Sequence, residues 1–110
     1  SSARKNARKA ATLKSVWGKP YILIGDMYAR TSRDCGDDWN TRLAILAAIE
    51  KYAYAKSIDS DVSSDANERI GRYADAKPAR EEGFMRKVNP GDTATVGCWI
   101  GETVRVSFKN

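Results

Sequence analysis

The strongest constraint on the fold of this chain is a long apolar repeat of helical spacing between Asp38 and Lys56. Its apolar positions are Trp39, Leu43, Ile45, Leu46, Ala47, Ile49, Tyr52 and Ala53. Residues three and four apart share one side of a helix, and this stripe is wide enough to cover much of the circumference. Asp37 or Asp38 is suited to cap the first turn. The repeat predicts a largely buried core helix over residues 38–56.

A second, shorter helix is predicted over residues 65–76. Asp65, with Glu68 three residues later, resembles the capping pair that opens many helices. The apolar face of this helix is narrower and consists of Ala66, Ile70 and Tyr73. Pro78 closes the segment, because proline cannot continue a helix. This helix is expected to pack beside the long one.

Short apolar runs predict strands on both sides of the two helices. Residues 21–24, Tyr-Ile-Leu-Ile, form an unbroken apolar run that is typical of a buried strand. Residues 84–88 and 93–100 flank the sequence Asn-Pro-Gly-Asp at 89–92, which is strong turn chemistry. The predicted order is therefore arm, β, α, α, β, β, β.

The last two strands are predicted to form a hairpin around Gly101-Glu102, a pair that suits a two-residue loop. In that register the facing pairs are Trp99 with Val104, Gly97 with Val106, and Thr95 with Phe108. One face of the sheet then carries Trp99, Val104, Val106 and Phe108. Both Trp39 and Trp99 are expected in the core.

The fold class predicted from these elements is α+β, with an antiparallel sheet, including the C-terminal hairpin, packed on one long helix and a second shorter helix. A chain of 110 residues supports one hydrophobic core, and its composition is that of a soluble globular domain. We expect a single domain over residues 19–110, preceded by an arm over residues 1–18. No apolar run approaches the roughly 18 residues that span a membrane.

Positive charge is concentrated at the N-terminus. Of the 19 basic residues six lie within residues 1–25, which contain no acid, so the remainder holds 13 basic against 14 acidic residues. The six are Arg4, Lys5, Arg8, Lys9, Lys14 and Lys19. The first four repeat at positions that form one cationic stripe on a helix, suited to a phosphate backbone or an acidic protein face. A solubility tail or an organellar presequence remnant is the alternative.

The two cysteines, Cys35 and Cys98, are too few for a zinc site, and the chain has no histidine to complete one. They form either one disulfide or two reduced thiols. We place the reduced state slightly ahead, because secreted domains of this size usually carry more bridges. An intracellular or organellar location is accordingly favoured over a secreted one.

The sequence contains no convincing catalytic constellation. Histidine, the commonest general base, is missing. Asp34, Asp37 and Asp38 form an acidic group that suits a divalent cation of a hydrolase, but a helix cap explains it more simply. Cys35 lies among acids that oppose a lowered thiol pKa. We therefore expect no enzyme, metal or cofactor.

These observations favour a non-enzymatic binding or assembly module whose basic arm contacts nucleic acid or an acidic surface of a larger complex. Trp17, near the arm, is a candidate for stacking on bases, with a core position as the alternative. The second hypothesis is a small secreted toxin or effector stapled by a Cys35–Cys98 disulfide. The sequence leaves the oligomeric state open.

Overall fold

A computed structural model describes residues 17–110 of the chain. It has an α+β fold in which the described residues form four α-helices and one two-stranded antiparallel sheet. The helices are α1 (Lys19–Arg30), α2 (Asp38–Ile58), α3 (Ser63–Tyr73) and α4 (Arg80–Arg86), and the strands are β1 (Thr93–Thr95) and β2 (Thr103–Arg105). Short 3-10 turns at Ser32–Cys35, Ser60–Val62 and Ala74–Ala76 join or extend the helices.

Helix α2 is the core helix, as the apolar repeat predicts. Its residues 43–48 are all buried, together with Trp39, Tyr52 and Ala55, although Ala53 is exposed. Asp37 caps it, because the Asp37 carboxylate accepts the backbone N–H of Asn40 at 2.8 Å. Helices α1 and α3 and strand β2 all pack on α2. The long helix therefore organises the other elements.

Residues 21–24 are not a strand, and that prediction is wrong. They belong to α1, which begins with Pro20 in its first turn and buries Ile22, Gly25, Tyr28 and Ala29 along one side. A Cβ atom at Gly25 would lie 2.5 Å from a ring carbon of Tyr52, so glycine lets α1 approach α2 closely. The short apolar run is one turn of a helix with a longer apolar side.

Residues 84–88 are not a strand either. Phe84 lies in α4, which has Glu81 and Glu82 in its first turn and Arg86 in its last, an order that complements the helix dipole. The helix ends at Lys87, whose φ of 60° is left-handed. Phe84 is consequently 86% exposed instead of packed in a sheet.

The antiparallel hairpin exists, but its strands are shorter than predicted and its register differs. Thr93 pairs with Arg105, Ala94 with Val104 and Thr95 with Thr103. The connection between the strands therefore runs from residue 96 to residue 102, where a two-residue loop was predicted. The predicted alternation holds for Val104, Val106 and Phe108, which are buried, whereas Trp99 is 56% exposed.

The second predicted helix is confirmed as α3, continued by the turn at Ala74–Ala76. The capping pair is wrong, because α3 begins two residues earlier, at Ser63, and Asp65 lies within its first turn. Glu68 instead forms an ion pair with Arg72 one turn further along the helix, at 2.6 Å. Within residues 17–110 no helix combines the length and the apolar character that crossing a bilayer requires.

Candidate binding surface on helix α1

The N-terminal arm joins the domain at Gly18, which is buried and fixed in place. Its backbone N–H donates to the Asp59 carboxylate at 2.8 Å. A Cβ atom at this position would lie 2.7 Å from both the carbonyl oxygen of Ala55 and a methyl group of Val62. Only glycine fits this contact without displacing neighbours. The arm therefore starts from a defined point beside the C-terminal end of α2.

The structure describes two of the seven residues predicted to bind an anionic partner. Trp17 is 51% exposed and Lys19, the first residue of α1, is also exposed. The other five, Arg4, Lys5, Arg8, Lys9 and Lys14, lie outside the described residues. The exposure of Trp17 is compatible with the hypothesis that it stacks on bases and does not favour the alternative of a core position.

The side of α1 that faces away from α2 is exposed and combines apolar with cationic residues. It consists of Lys19, Pro20, Leu23, Met27 and Arg30, and we call it the α1 outer face. Leu23 is 53% exposed and Met27 is 45% exposed. Neither Lys19 nor Arg30 forms an ion pair with another described residue. This surface begins one residue after the fixed Gly18 and so continues directly from the arm.

The only acid of α1, Asp26, is turned away from the outer face. Its carboxylate accepts the Tyr52 hydroxyl at 2.6 Å and the Arg69 Nε at 2.8 Å, which ties α1 to α2 and α3. Burial opposes ionisation of Asp26, but the hydrogen bonds from Arg69 and Tyr52 and the charge of Arg69 outweigh it, so the pKa of Asp26 is lowered. The outer face itself therefore carries no acidic side chain.

Replacing Asp26 with Asn is expected to lower the free energy of unfolding at pH 7 by about 1–3 kcal/mol, because Arg69 loses a charged partner. Since the pKa of Asp26 is lower in the folded state, its contribution is complete above the unfolded carboxyl pKa of about 3.9 and is lost as pH falls through the folded pKa. The difference between parent and variant in urea unfolding should therefore shrink below about pH 4.

The matched control is Asp38→Asn, which removes an ion pair with Arg42 from a carboxylate that is 75% exposed. Exposed ion pairs contribute little to stability, so the free energy of unfolding of this variant should stay within about 0.5 kcal/mol of the parent value. A stability difference for Asp26→Asn that is equal at pH 7 and at low pH would contradict the linkage.

At the far end of α1 a disulfide joins Cys35 to Cys98, with Cα atoms 4.7 Å apart. The two cysteines are therefore not reduced thiols, and the slight preference for that state is wrong. The bond holds the β1–β2 connection against the turn that follows α1. In this position Cys35 has no free thiol to act as a nucleophile.

The same junction places Trp99 beside α1. The Trp99 indole N–H donates to the Thr31 hydroxyl at 3.0 Å, and its ring meets that of Tyr28 edge-on at 5.4 Å between centroids. The prediction of a core position for Trp99 is wrong, because these contacts cover only one side of the ring. Exposed tryptophans thus lie at both ends of α1.

Glu102 holds Tyr28 in place near the C-terminal end of α1. It accepts the Tyr28 hydroxyl and forms an ion pair with Lys51 at 3.2 Å. Burial, followed by the hydrogen bond and the charge of Glu102, raises the pKa of Tyr28 to about 12. The phenol therefore stays neutral at physiological pH and positions the β1–β2 connection.

The acidic group at residues 34–38 acts as a helix cap. Asp37 caps α2, and Asp38 pairs with Arg42 at 3.0 Å. The backbone N–H and side chain of Asn40 lower the pKa of Asp37. In the part of the chain that the structure covers, no three potential ligands are grouped to hold a metal ion.

Sequence reasoning did not identify Leu23 and Met27 as surface residues, because it assigned residues 21–24 to a buried strand. The available signal was the spacing of Ile22, Gly25 and Ala29, which marks the opposite side of a helix. That side packs on α2, Tyr21 and Ile24 are partly buried against the core, and Leu23 and Met27 are left exposed.

No protein-family model matches this chain, and neither the curated proteins nor the solved structures compared with it include a significant match.

Proposed function

We propose that this chain is a non-enzymatic binding or assembly module whose basic arm contacts nucleic acid or an acidic surface of a larger complex. The observation that carries the proposal is charge segregation, with six basic residues and no acid in residues 1–25. Clustered cations of this kind attract polyanions through the summed field of the group. The folded domain holds Gly18, the residue at which the arm begins, in a fixed position.

The geometry at Gly18 supports a role for the arm beyond solubility. A tail that only improves solubility needs no defined exit from the domain. Here the arm begins at a residue held by a hydrogen bond from its backbone N–H to Asp59 and enclosed by Ala55 and Val62. Lys19 and Arg30 then continue the positive charge along α1. A partner that binds the arm would therefore find further positive charge at Lys19 and Arg30 of α1.

Removal of residues 1–16 is expected to abolish binding to polyanions. The full chain and the shortened chain are compared by fluorescence anisotropy with a duplex of about 20 base pairs, a single strand and poly-glutamate, across a salt series. The full chain should bind at least one probe with an affinity that falls steeply as salt rises, because bound cations displace counterions.

The identity of the probe separates the two partner classes. Preference for duplex or single strand would favour nucleic acid, whereas preference for poly-glutamate would favour an acidic protein. Equal binding by the shortened chain, or no binding by either chain, would contradict the proposal. A circular dichroism spectrum of the shortened chain provides the control for folding.

A second candidate function is that of a small secreted toxin or effector. The observation that favours it is the Cys35–Cys98 disulfide, since such bonds persist in oxidising compartments. Counting free thiols in the denatured, unreduced protein from its native source tests the candidate. Two free thiols would contradict it, and none would support it.

A further inference from the structure

We propose that the α1 outer face is a docking site for an amphipathic acidic segment of a partner protein. This inference rests on the proposed function and specifies which of its anionic partners fits. It starts from the exposed apolar residues of α1, because phosphate groups pair with cations but offer nothing to apolar side chains. Leu23 and Met27, each about half exposed, lie directly beyond the root of the arm.

The charges around the α1 outer face indicate which kind of partner segment fits it. Lys19 and Arg30 flank Leu23 and Met27 and have no ion-pair partner among the described residues. Two acids beside α1 are already engaged, because Asp26 forms an ion pair with Arg69 and the Asp59 carboxylate accepts the backbone N–H of Gly18. An incoming segment therefore meets two apolar side chains between Lys19 and Arg30, neither of which forms an ion pair with a described residue. Apolar side chains flanked by Asp or Glu are the matching chemistry.

Exposed tryptophans lie near the two ends of α1. Trp17 precedes α1 by two residues, and Trp99 is bonded to Thr31, the residue that follows it. They are 51% and 56% exposed. A helix of 12 residues is about 18 Å long. Tryptophan is enriched among the residues that dominate binding energy at protein interfaces.

Two other occupants fit less well. A second copy of this chain would bring two cationic faces together, which like-charge repulsion opposes. An anionic membrane matches the charge, but Leu23 and Met27 are each only about half exposed and so offer little apolar area for insertion between lipids.

The probe is a synthetic helical peptide of about 16 residues with leucines on one face and glutamates on the other, together with a scrambled peptide of the same composition. Binding to the full chain is followed by tryptophan fluorescence. Trp17 and Trp99 are accessible to the peptide, whereas Trp39 is buried and gives a constant background. The amphipathic peptide should bind more tightly than the scrambled one.

The decisive variant is Leu23→Ser combined with Met27→Ser. It should weaken binding of the amphipathic peptide about tenfold or more, because two apolar side chains lose their contacts, and should leave the scrambled peptide unaffected. The matched control is Phe84→Ser combined with Met85→Ser, which removes two apolar side chains that are 86% and 78% exposed in α4. That control should bind both peptides as the parent does.

Different results would contradict the proposed function and the docking site on α1. If the full chain binds neither peptide but still binds the duplex or the single strand, only this inference fails; if it binds neither the peptides nor the polyanion probes, the proposed function fails with it. If it binds both peptides equally, or if the Leu23 and Met27 changes have no effect, only the docking site is contradicted. Vesicles with roughly 30% phosphatidylserine complete the test. Binding to vesicles that requires Leu23 and Met27, without matching loss of peptide binding, would overturn the proposal in favour of a lipid surface.

Discussion

Replacing Cys98 with Ala should lower the free energy of unfolding by about 4 kcal/mol. The disulfide connects residues separated by 63 positions, so it removes much of the conformational freedom of the unfolded chain. Domains of this size are typically stable by only 5–15 kcal/mol, so the loss is a large part of the total. Guanidinium denaturation followed by circular dichroism measures it directly.

The parent protein in a phosphine reductant provides the internal control. Its denaturation midpoint should move to that of Cys98→Ala, while the variant itself should not respond to the reductant. Fluorescence should change as well, because the bond holds Trp99 against Thr31 and Tyr28. Coincident denaturation curves for oxidised parent, reduced parent and variant would show that the bond contributes nothing to stability.

Replacing Leu46 with Ala should destabilise the domain by about 2–5 kcal/mol. Leu46 is 2% exposed and lies near the middle of α2, the helix on which α1, α3 and β2 pack. Removing its outer methyl groups loses the free energy of burial and leaves a cavity that the surrounding helices fill only in part. A denaturation curve of the variant gives the size of the effect.

The control for this substitution is Lys56→Ala in the same helix. Lys56 is exposed and its only described contact is a hydrogen bond to Asn67. The change should stay within about 0.5 kcal/mol of the parent, since exposed positions contribute little. If Leu46→Ala and Lys56→Ala have the same midpoint, α2 is not the centre of the core.

Helices α2 and α3 were predictable because helical periodicity is a local property of the sequence. Over the 21 residues of α2, an apolar repeat accumulates enough positions to exclude a strand. Four apolar residues, as at 21–24, fit either a strand or one turn of a helix. The residue that decides between them is Gly25, and its contact with Tyr52 becomes visible only when α1 and α2 are packed together.

The register of the hairpin depends on a contact that is remote in sequence. Gly101-Glu102 has the local chemistry of a tight turn. The residues before it are held elsewhere, because Cys98 forms a disulfide with Cys35 and the Trp99 indole N–H donates a hydrogen bond to Thr31. The strands pair as far as Thr95 with Thr103, the Val96 N–H donates to the Glu102 carbonyl oxygen, and the disulfide attaches the rest of the connection to the turn after α1. Whether two cysteines pair is set by their positions in the fold, which spacing in the sequence does not reveal.

The basic arm and the α1 outer face also differ in whether the sequence alone reveals them. The basic arm is visible in composition alone, because the absence of acids from residues 1–25 requires no structure to detect. The α1 outer face can be identified only after the packing of α1 on α2 is known, because it is the side of α1 that α2 leaves uncovered. Leu23 and Met27 therefore become candidates only after Ile22 and Tyr28 are assigned to the core.

The arm itself is tested most directly by a pair of variants with equal net charge. In one, Arg4, Lys5, Arg8 and Lys9 are changed to Gln; in the other, Lys77, Arg80, Lys87 and Lys109 are changed to Gln. Binding of each to a DNA duplex, used as a polyanion of known electrostatics, is measured across a salt series. The account predicts that the arm variant loses about 3–4 units of the slope of log affinity against log salt, while the other variant keeps the slope of the parent. Equal slopes for the two variants would contradict it, because binding would then follow net charge and not the arm.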